Sequence, residues 1–221
     1  MKPSGNIEQR FAAHILERSK VKNGGEASVY SFVRHPDKAF VVEQAQPGEA
    51  RIECTLPEGT LCVQWNLQEG LFGFLKERKN ADGALLIWRN DGSRDGLFEA
   101  HVMECKRTVD QTKWNDILQQ LRWTFMRLRA VSGVLGVPLQ RVTFYTAYRE
   151  DKLSSDSSRN PVLPRNPITS RFAKPDETID RPRQLQMAWQ NDDITLGDLV
   201  ERFAHRKVEL DGNGDGAIAL A

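Results

Sequence analysis

Two apolar runs of strand length flank a tight-turn sequence near the middle of the chain, and this pairing constrains the fold more than any other feature. Ala84–Trp88 (ALLIW) is the first run, Asn90-Asp91-Gly92-Ser93 supplies the turn, and Leu97–Lys106 (LFEAHVMECK) is the second. A hairpin is therefore expected. Asp110 then stands as N-cap to a helix reaching about Ser132, with Trp114, Ile117, Leu118, Leu121, Phe125 and Leu128 repeating every three or four residues. Gly133 and Gly136 stop that helix, and Arg141–Tyr148 (RVTFYTAY) reads as a further strand. A strand that follows another through an intervening helix pairs in parallel with it. An antiparallel hairpin followed by a helix and a further strand points to an α/β (α+β) fold class.

The flanking regions carry weaker signals. Asn6–Lys20 reads as a short amphipathic helix with Ile7, Phe11, Ile15 and Leu16 on one side. From Ala27 to Val63 the runs SVYSFV, KAFVVEQA, ARIECTL and TLCVQW predict a small antiparallel meander. Leu67–Lys79 has helical spacing that Gly70 and Gly73 weaken. Beyond Glu150, the Pro- and Ser-rich text up to Arg183 predicts an extended arm, followed by a helix over about Leu196–Lys207 and a flexible Gly-rich tail. Three stretches result: residues 1–66, a helix and meander packed on the core; 67–149, the core; and 150–221, the arm, last helix and tail.

Lys and Arg number 31 against 30 acids, so any contact with a polyanion must be local rather than spread over the surface. The three cysteines, Cys54, Cys62 and Cys105, form no CxxC pair and read as small buried hydrophobes of a reducing compartment. No secretion signal is visible, and no apolar run approaches the roughly 20 residues that span a bilayer. The expectation is a soluble, cytoplasmic protein that does not enter the membrane.

Chemistry concentrates at one end of the hairpin. Along a strand, Glu104 and Lys106 share a face while Cys105 points away. Asp82 opens the first strand, and a hairpin sets the start of its first strand beside the end of its second. Asp82, Glu104 and Lys106 should therefore meet. Two neighbouring carboxylates repel unless a cation neutralises them. Mg²⁺ accepts one or two carboxylates together with water and phosphate oxygens, and a metal-bound water is a nucleophile. A lysine alongside can orient that water or stabilise charge developing on phosphorus oxygens.

Asn80-Ala81-Asp82-Gly83, an apolar strand, a turn, and Val102-Met103-Glu104-Cys105-Lys106 followed by a helix resemble the PD-(D/E)XK nuclease superfamily, over roughly residues 67–148. The resemblance implies a restriction-endonuclease-like fold, a central mixed sheet flanked by helices, and endonuclease hydrolysis of phosphodiester bonds, in DNA ahead of RNA. It implies that Asp82 and Glu104 bind Mg²⁺ or Mn²⁺ and that Lys106 assists catalysis. Many members add an acid from a preceding helix, for which Glu69 is the candidate. Others add a polar residue from the following helix, where Lys113, Gln119 and Gln120 stand open. Ala81 replaces the family's proline, and the strand that should precede the aspartate strand is either Leu61–Trp65 or missing. A literal Pro36-Asp37 also occurs, but Glu43 downstream is followed by Gln44 and Ala45 rather than a lysine. The alternative, from another class, is an inactive nuclease-like fold serving nucleic-acid binding or protein assembly.

Arg122, Arg127 and Arg129 on the long helix, with Arg159, Arg165, Arg171, Lys174, Arg181 and Arg183 in the arm, could track a phosphate backbone; Lys113, Gln120 and Arg122 are the nucleic-acid candidates. Trp123 reads as helix core. His101 falls on the face opposite Glu104, and His14, His35 and His205 lack ligand spacing. Asp211–Ile218 begins like an EF-hand loop, but the Glu that closes such a loop would fall one residue past Ala221. No GxSxG elbow, Walker loop or GxGxxG is present. Control by a homodimer or partner subunit is expected by analogy with other small nucleases.

Overall fold

The structure is a computed structural model, and it describes residues 4–20, 26–35, 37–44, 48–66, 79–89, 96–155, 187–191, 193–197, 199 and 201–220. Its centre follows from the hairpin. Strand β7 (Gly83–Arg89) pairs antiparallel with β8 (Leu97–Val109), in a register that sets Gly83 opposite Met103 and Arg89 opposite Leu97. Helix α2 (Gln111–Leu135) then returns the chain, and β9 (Leu139–Asp151) pairs parallel with β8. The Asp110 carboxylate accepts the Lys113 backbone N–H at 2.8 Å, while Gly136 adopts the left-handed conformation that closes the helix.

Strand β6 (Leu61–Trp65) lies antiparallel on the other side of β7, and β3 (Tyr30–Phe32) completes that edge. Leu61–Trp65 is thus the strand that neighbours the aspartate strand. At the opposite edge β11 (Arg202–Glu209) pairs parallel with β9, and β10 (Asp193–Thr195) pairs antiparallel with β11. This mixed seven-stranded sheet draws strands from all three stretches of the chain.

Its two faces are covered differently. Helix α1 (Ser4–His14) and α2 lie on one face, burying Ile7, Phe11, Trp114, Ile117, Leu121, Phe125 and Leu128 against Trp65, Leu86, Phe98, Val102 and Phe144. The other face carries a second sheet of β4 (Lys38–Gln44), β5 (Glu49–Thr55) and β12 (Asp215–Ala219). There Ala39, Val41, Ile52 and Cys54 meet Leu85, Ile87, Met103, Tyr145 and Ala147. Because β7 is buried on both faces, it reads as a continuous apolar run rather than an alternating one. A further hairpin, β1 (Arg18–Lys20) with β2 (Glu26–Ser28), follows α1, and one short helical turn, α3 (Lys152–Ser155), follows β9.

Several expectations are corrected. The meander is divided: β4 and β5 form the outer sheet, whereas β3 and β6 join the main one. α1 ends at His14, leaving Leu16 72% exposed. The helix expected over Leu196–Lys207 gives way to strand β11 from Arg202 onward, where Phe203, His205 and Lys207 alternate with Ala204, Arg206 and Val208 across the two faces. The tail is ordered, since β12 pairs parallel with β5 from Asp215 opposite Arg51 to Ala219 opposite Thr55. The helix expected over Leu67–Lys79 falls on residues 67–78, outside the described residues, and Lys79 itself is not helical.

Candidate metal and phosphate site

Gly83 pairs with Met103, so Asp82 lies one step outward, across from Glu104. The Asp82 Oδ2 accepts the Cys105 backbone N–H at 2.7 Å, which fastens the aspartate to the strand that carries the other two groups. Glu104 Oε1 is ion-paired with Lys106 Nζ, and that ammonium also donates to the Cys105 carbonyl at 3.2 Å. The hairpin thus brings Asp82, Glu104 and Lys106 together.

The electrostatics are those of crowded, buried acids. Glu104 has no exposed surface, and burial together with the Asp82 charge pushes its pKa up to about 8, against the pull of Lys106. Burial likewise raises Asp82 to about 6; the Lys106 charge and the Cys105 N–H oppose this, while Glu43 adds to it. For Lys106, burial favours the neutral amine, but Glu104 and Asp82 together outweigh it and leave the pKa above its ordinary value. The Asp82 backbone N–H lies close enough to the Glu104 carboxylate to pull its pKa down, yet the second oxygen, Oε2, is buried with no partner at ordinary hydrogen-bond geometry. Native folds rarely leave such an acceptor alone.

Those observations fit a divalent cation. A buried carboxylate oxygen without a donor, beside a second acid, is a hard oxygen site of the kind that Mg²⁺ or Mn²⁺ completes with water and phosphate oxygens. Asp82 and Glu104 would hold it. Among the described residues no group of three or more His, Cys, Asp and Glu side chains gathers to hold a metal ion. Glu69 lies outside the described residues.

The path into the site is held by α2. Three of its side chains grip three consecutive backbone units immediately before Asp82. Arg127 Nη1 donates to the Lys79 carbonyl at 2.8 Å, Gln120 Nε2 donates to the Asn80 carbonyl at 2.9 Å, and Thr124 Oγ1 accepts the Ala81 N–H at 2.8 Å. Thr124 is fully buried and Arg127 nearly so. The sequence reads Arg127 as one of the basic residues that could track a phosphate backbone, whereas here it holds the chain before Asp82, and it does not single out Thr124. The usable signal was their spacing within the buried stripe of α2, two polar residues where apolar ones would be expected. Glu43 is the other missed group. It lies on β4, whose Val41 packs against Gly83, and its charge reaches Asp82.

The remaining candidates separate. Gln120 is committed to Asn80. Lys113 is exposed in the first turn of α2. Arg122 lies over the Trp123 ring at 5.6 Å and against Gly197, and Trp123 is half-buried rather than part of the core. The six basic residues of the arm fall outside the described residues. His101 sits on the outer-sheet face, its Nδ1 3.0 Å from the Tyr145 hydroxyl. His205 is buried between Trp114 and Trp189 and bonds Thr146. Asp211 Oδ1 accepts the backbone N–H groups of Asn213, Gly214 and Asp215, making a turn into β12. All three cysteines are buried free thiols. No helix among the described residues is long and apolar enough to cross a membrane. No protein-family model, curated protein or solved structure matches the chain.

Proposed function

We propose that the protein is a Mg²⁺- or Mn²⁺-dependent nuclease of the PD-(D/E)XK type, with DNA its substrate ahead of RNA. The observation that carries this reading is the meeting of Asp82 with Glu104 and Lys106 at the open end of the β7–β8 hairpin, with one Glu104 oxygen buried and unsatisfied. The order β6, β7, β8, α2, β9 is compatible with the restriction-endonuclease-like arrangement that the sequence resembles. In this reading Asp82 and Glu104 hold the ion, which supplies charge neutralisation and an acidified water. The Cys105 N–H fixes which oxygen Asp82 presents. Lys106, partly exposed beside both acids, orients the attacking water or meets the charge that develops on the phosphorus oxygens.

A second reading has a specific observation in its favour. Glu104 is fully buried and already neutralised by Lys106, as in a static core ion pair of a nuclease-like fold used for binding or assembly. Purified protein incubated with plasmid, single-stranded DNA and RNA in Mg²⁺, Mn²⁺ or EDTA, beside Asp82→Asn and Lys106→Ala, separates the two. Metal-dependent cleavage lost in both variants is expected. No cleavage of any substrate, with no thermal shift on adding Mn²⁺, would leave the binding-module reading.

A further inference from the structure

A third acid approaches Asp82 from the outer sheet, and two contacts fix how β4 crosses β7. Gln64 Nε2 of β6 donates to the Phe40 carbonyl at 3.0 Å, and Gln64 is the register partner of Leu85 in β7. One residue later Val41 lies against Gly83, so close that a methyl group there would stand 2.6 Å from Val41 Cγ1. β4 therefore runs along β7 from Leu85 toward the end that carries Asp82. Ala39 and Val41 are buried beneath it, whereas Val42 and Gln44 are exposed. Strand alternation then puts Glu43 on the inward face, half-buried, about 6.6 Å beyond Val41. It comes out where β7 begins, on the side of the main sheet opposite α2.

The charges gathered there are unbalanced. Glu43 and Asp82 repel each other, as do Asp82 and Glu104, and Lys106 is the cation that answers them. Its ammonium is already paired with Glu104. Acids brought together in this way call for a further cation. Glu43 does not close with Asp82 and Glu104 into a three-ligand cluster, so it stands too far out to coordinate an ion held by both. A hard divalent ion such as Mg²⁺ keeps several of its waters, however, and acids just outside the ligands hold such groups in place.

We propose that Glu43 is a positioning residue for the ion, accepting a hydrogen bond from a water carried by a divalent cation that Asp82 and Glu104 hold. The inference rests on the nuclease reading of that centre and extends it to the outer sheet. The Glu104 oxygen without a partner at ordinary geometry marks the ion, and Glu43 anchors its water shell from the other side of Asp82. A charge on β4, an edge of the outer sheet, would also discourage unwanted strand addition, but that role would leave metal affinity untouched.

Calorimetric titration of the full chain with Mn²⁺ separates these roles. The parent should bind one ion per chain, and Glu43→Ala should bind it about tenfold more weakly, the lower end of what loss of an outer partner costs a metal site. Glu43→Gln should fall between them, since the amide keeps an acceptor oxygen and loses the charge. Glu53→Gln removes an equal charge from the outward face of β5, where Glu53 pairs with Lys38, and should bind like the parent. The metal-free melting temperature of both Glu43 variants should not fall, because a charge that repels Asp82 is removed; a purely structural Glu43 would lower it and leave the affinity unchanged. Glu43 variants that bind Mn²⁺ as tightly as the parent, or a loss in Glu53→Gln as large as theirs, would overturn the role of Glu43 and leave the Asp82–Glu104 site standing. A parent that binds no Mn²⁺ would overturn both readings, so the parent titration tells the two failures apart.

Discussion

Replacing Thr124 by Val removes one hydroxyl and nearly nothing else in shape, yet it strips the Ala81 N–H of its acceptor one peptide unit before Asp82. Ala81 is 3% exposed, so water cannot readily substitute. A buried donor left unsatisfied costs about 1–3 kcal/mol. In a chain of this size each kcal/mol moves the melting temperature by about 2–4 °C, which gives a fall of roughly 2–12 °C. Thr124→Ser supplies the comparison. It keeps the hydroxyl and loses a methyl group, at about 1 kcal/mol. Stability alone could leave the two variants close, but the response to metal should not. If Thr124 positions Asp82, the Mn²⁺-induced rise in melting temperature shrinks in the valine variant and persists in the serine variant. A tenfold loss of metal affinity would remove about 1.4 kcal/mol of that stabilisation. A valine variant that matched the parent in both melting temperature and Mn²⁺ response would refute the clamp.

Other perturbations test neighbouring parts of the account. Without metal, stability should fall as pH rises from about 4 to about 8, because Asp82 and Glu104 bind protons more tightly folded than unfolded; denaturant titrations across that range in EDTA, repeated with Mn²⁺, should show the metal flattening the slope. His101 and His205 act oppositely: burial lowers them to about 4 and about 3, so the stability they contribute is complete above pH 6.5 and is lost as pH falls through those values. Asp82→Asn keeps an oxygen for the Cys105 N–H while removing a charge beside Glu104, so the metal-free melting temperature should rise above pH 6 and the Mn²⁺ shift should vanish. Gly83→Ala would set a methyl 2.6 Å from Val41 Cγ1 and should cost about 1–3 kcal/mol, partly recovered by Val41→Ala in the same chain; no recovery in thermal melts would argue against the close approach of β4 to β7.

What could be read directly from the sequence was local. The β7–β8 hairpin, α2 with its Asp110 cap, and β9 each carry their signal within one continuous stretch of chain, and the meeting of Asp82 with Glu104 follows from hairpin register. Elements whose structure depends on distant partners were misread. Residues Leu196–Lys207 carry helix-compatible apolar spacing, yet pairing with β9 turns Arg202–Glu209 into a strand. Asp211–Ile218 mimics the start of a calcium loop, but a parallel partner 164 residues earlier, Arg51 against Asp215, makes it the approach to a strand. Neither Glu43 nor Thr124 could be tied to Asp82 without knowing that β4 stacks on β7 and that α2 crosses the hairpin's open end.

The polar groups around Asp82 are hard to explain by stability alone. An all-apolar inner face on α2 would bury its surface without desolvating Thr124 and Arg127, and a hydrophobic residue at 104 would avoid a carboxylate oxygen that finds no donor. Burying an ion pair commonly gains little over well-packed apolar groups. Here the pair is asymmetric, with Lys106 engaging one Glu104 oxygen and the backbone while the other oxygen stays open beside Asp82. The surrounding hydrogen bonds from α2 and from Cys105 hold backbone and aspartate in place rather than satisfy that oxygen. On the proposed reading, an arrangement that fixes two acids and leaves one acceptor unfilled is one that a cation would complete. Local conflict with the rules of core packing is where functional sites are expected to stand out.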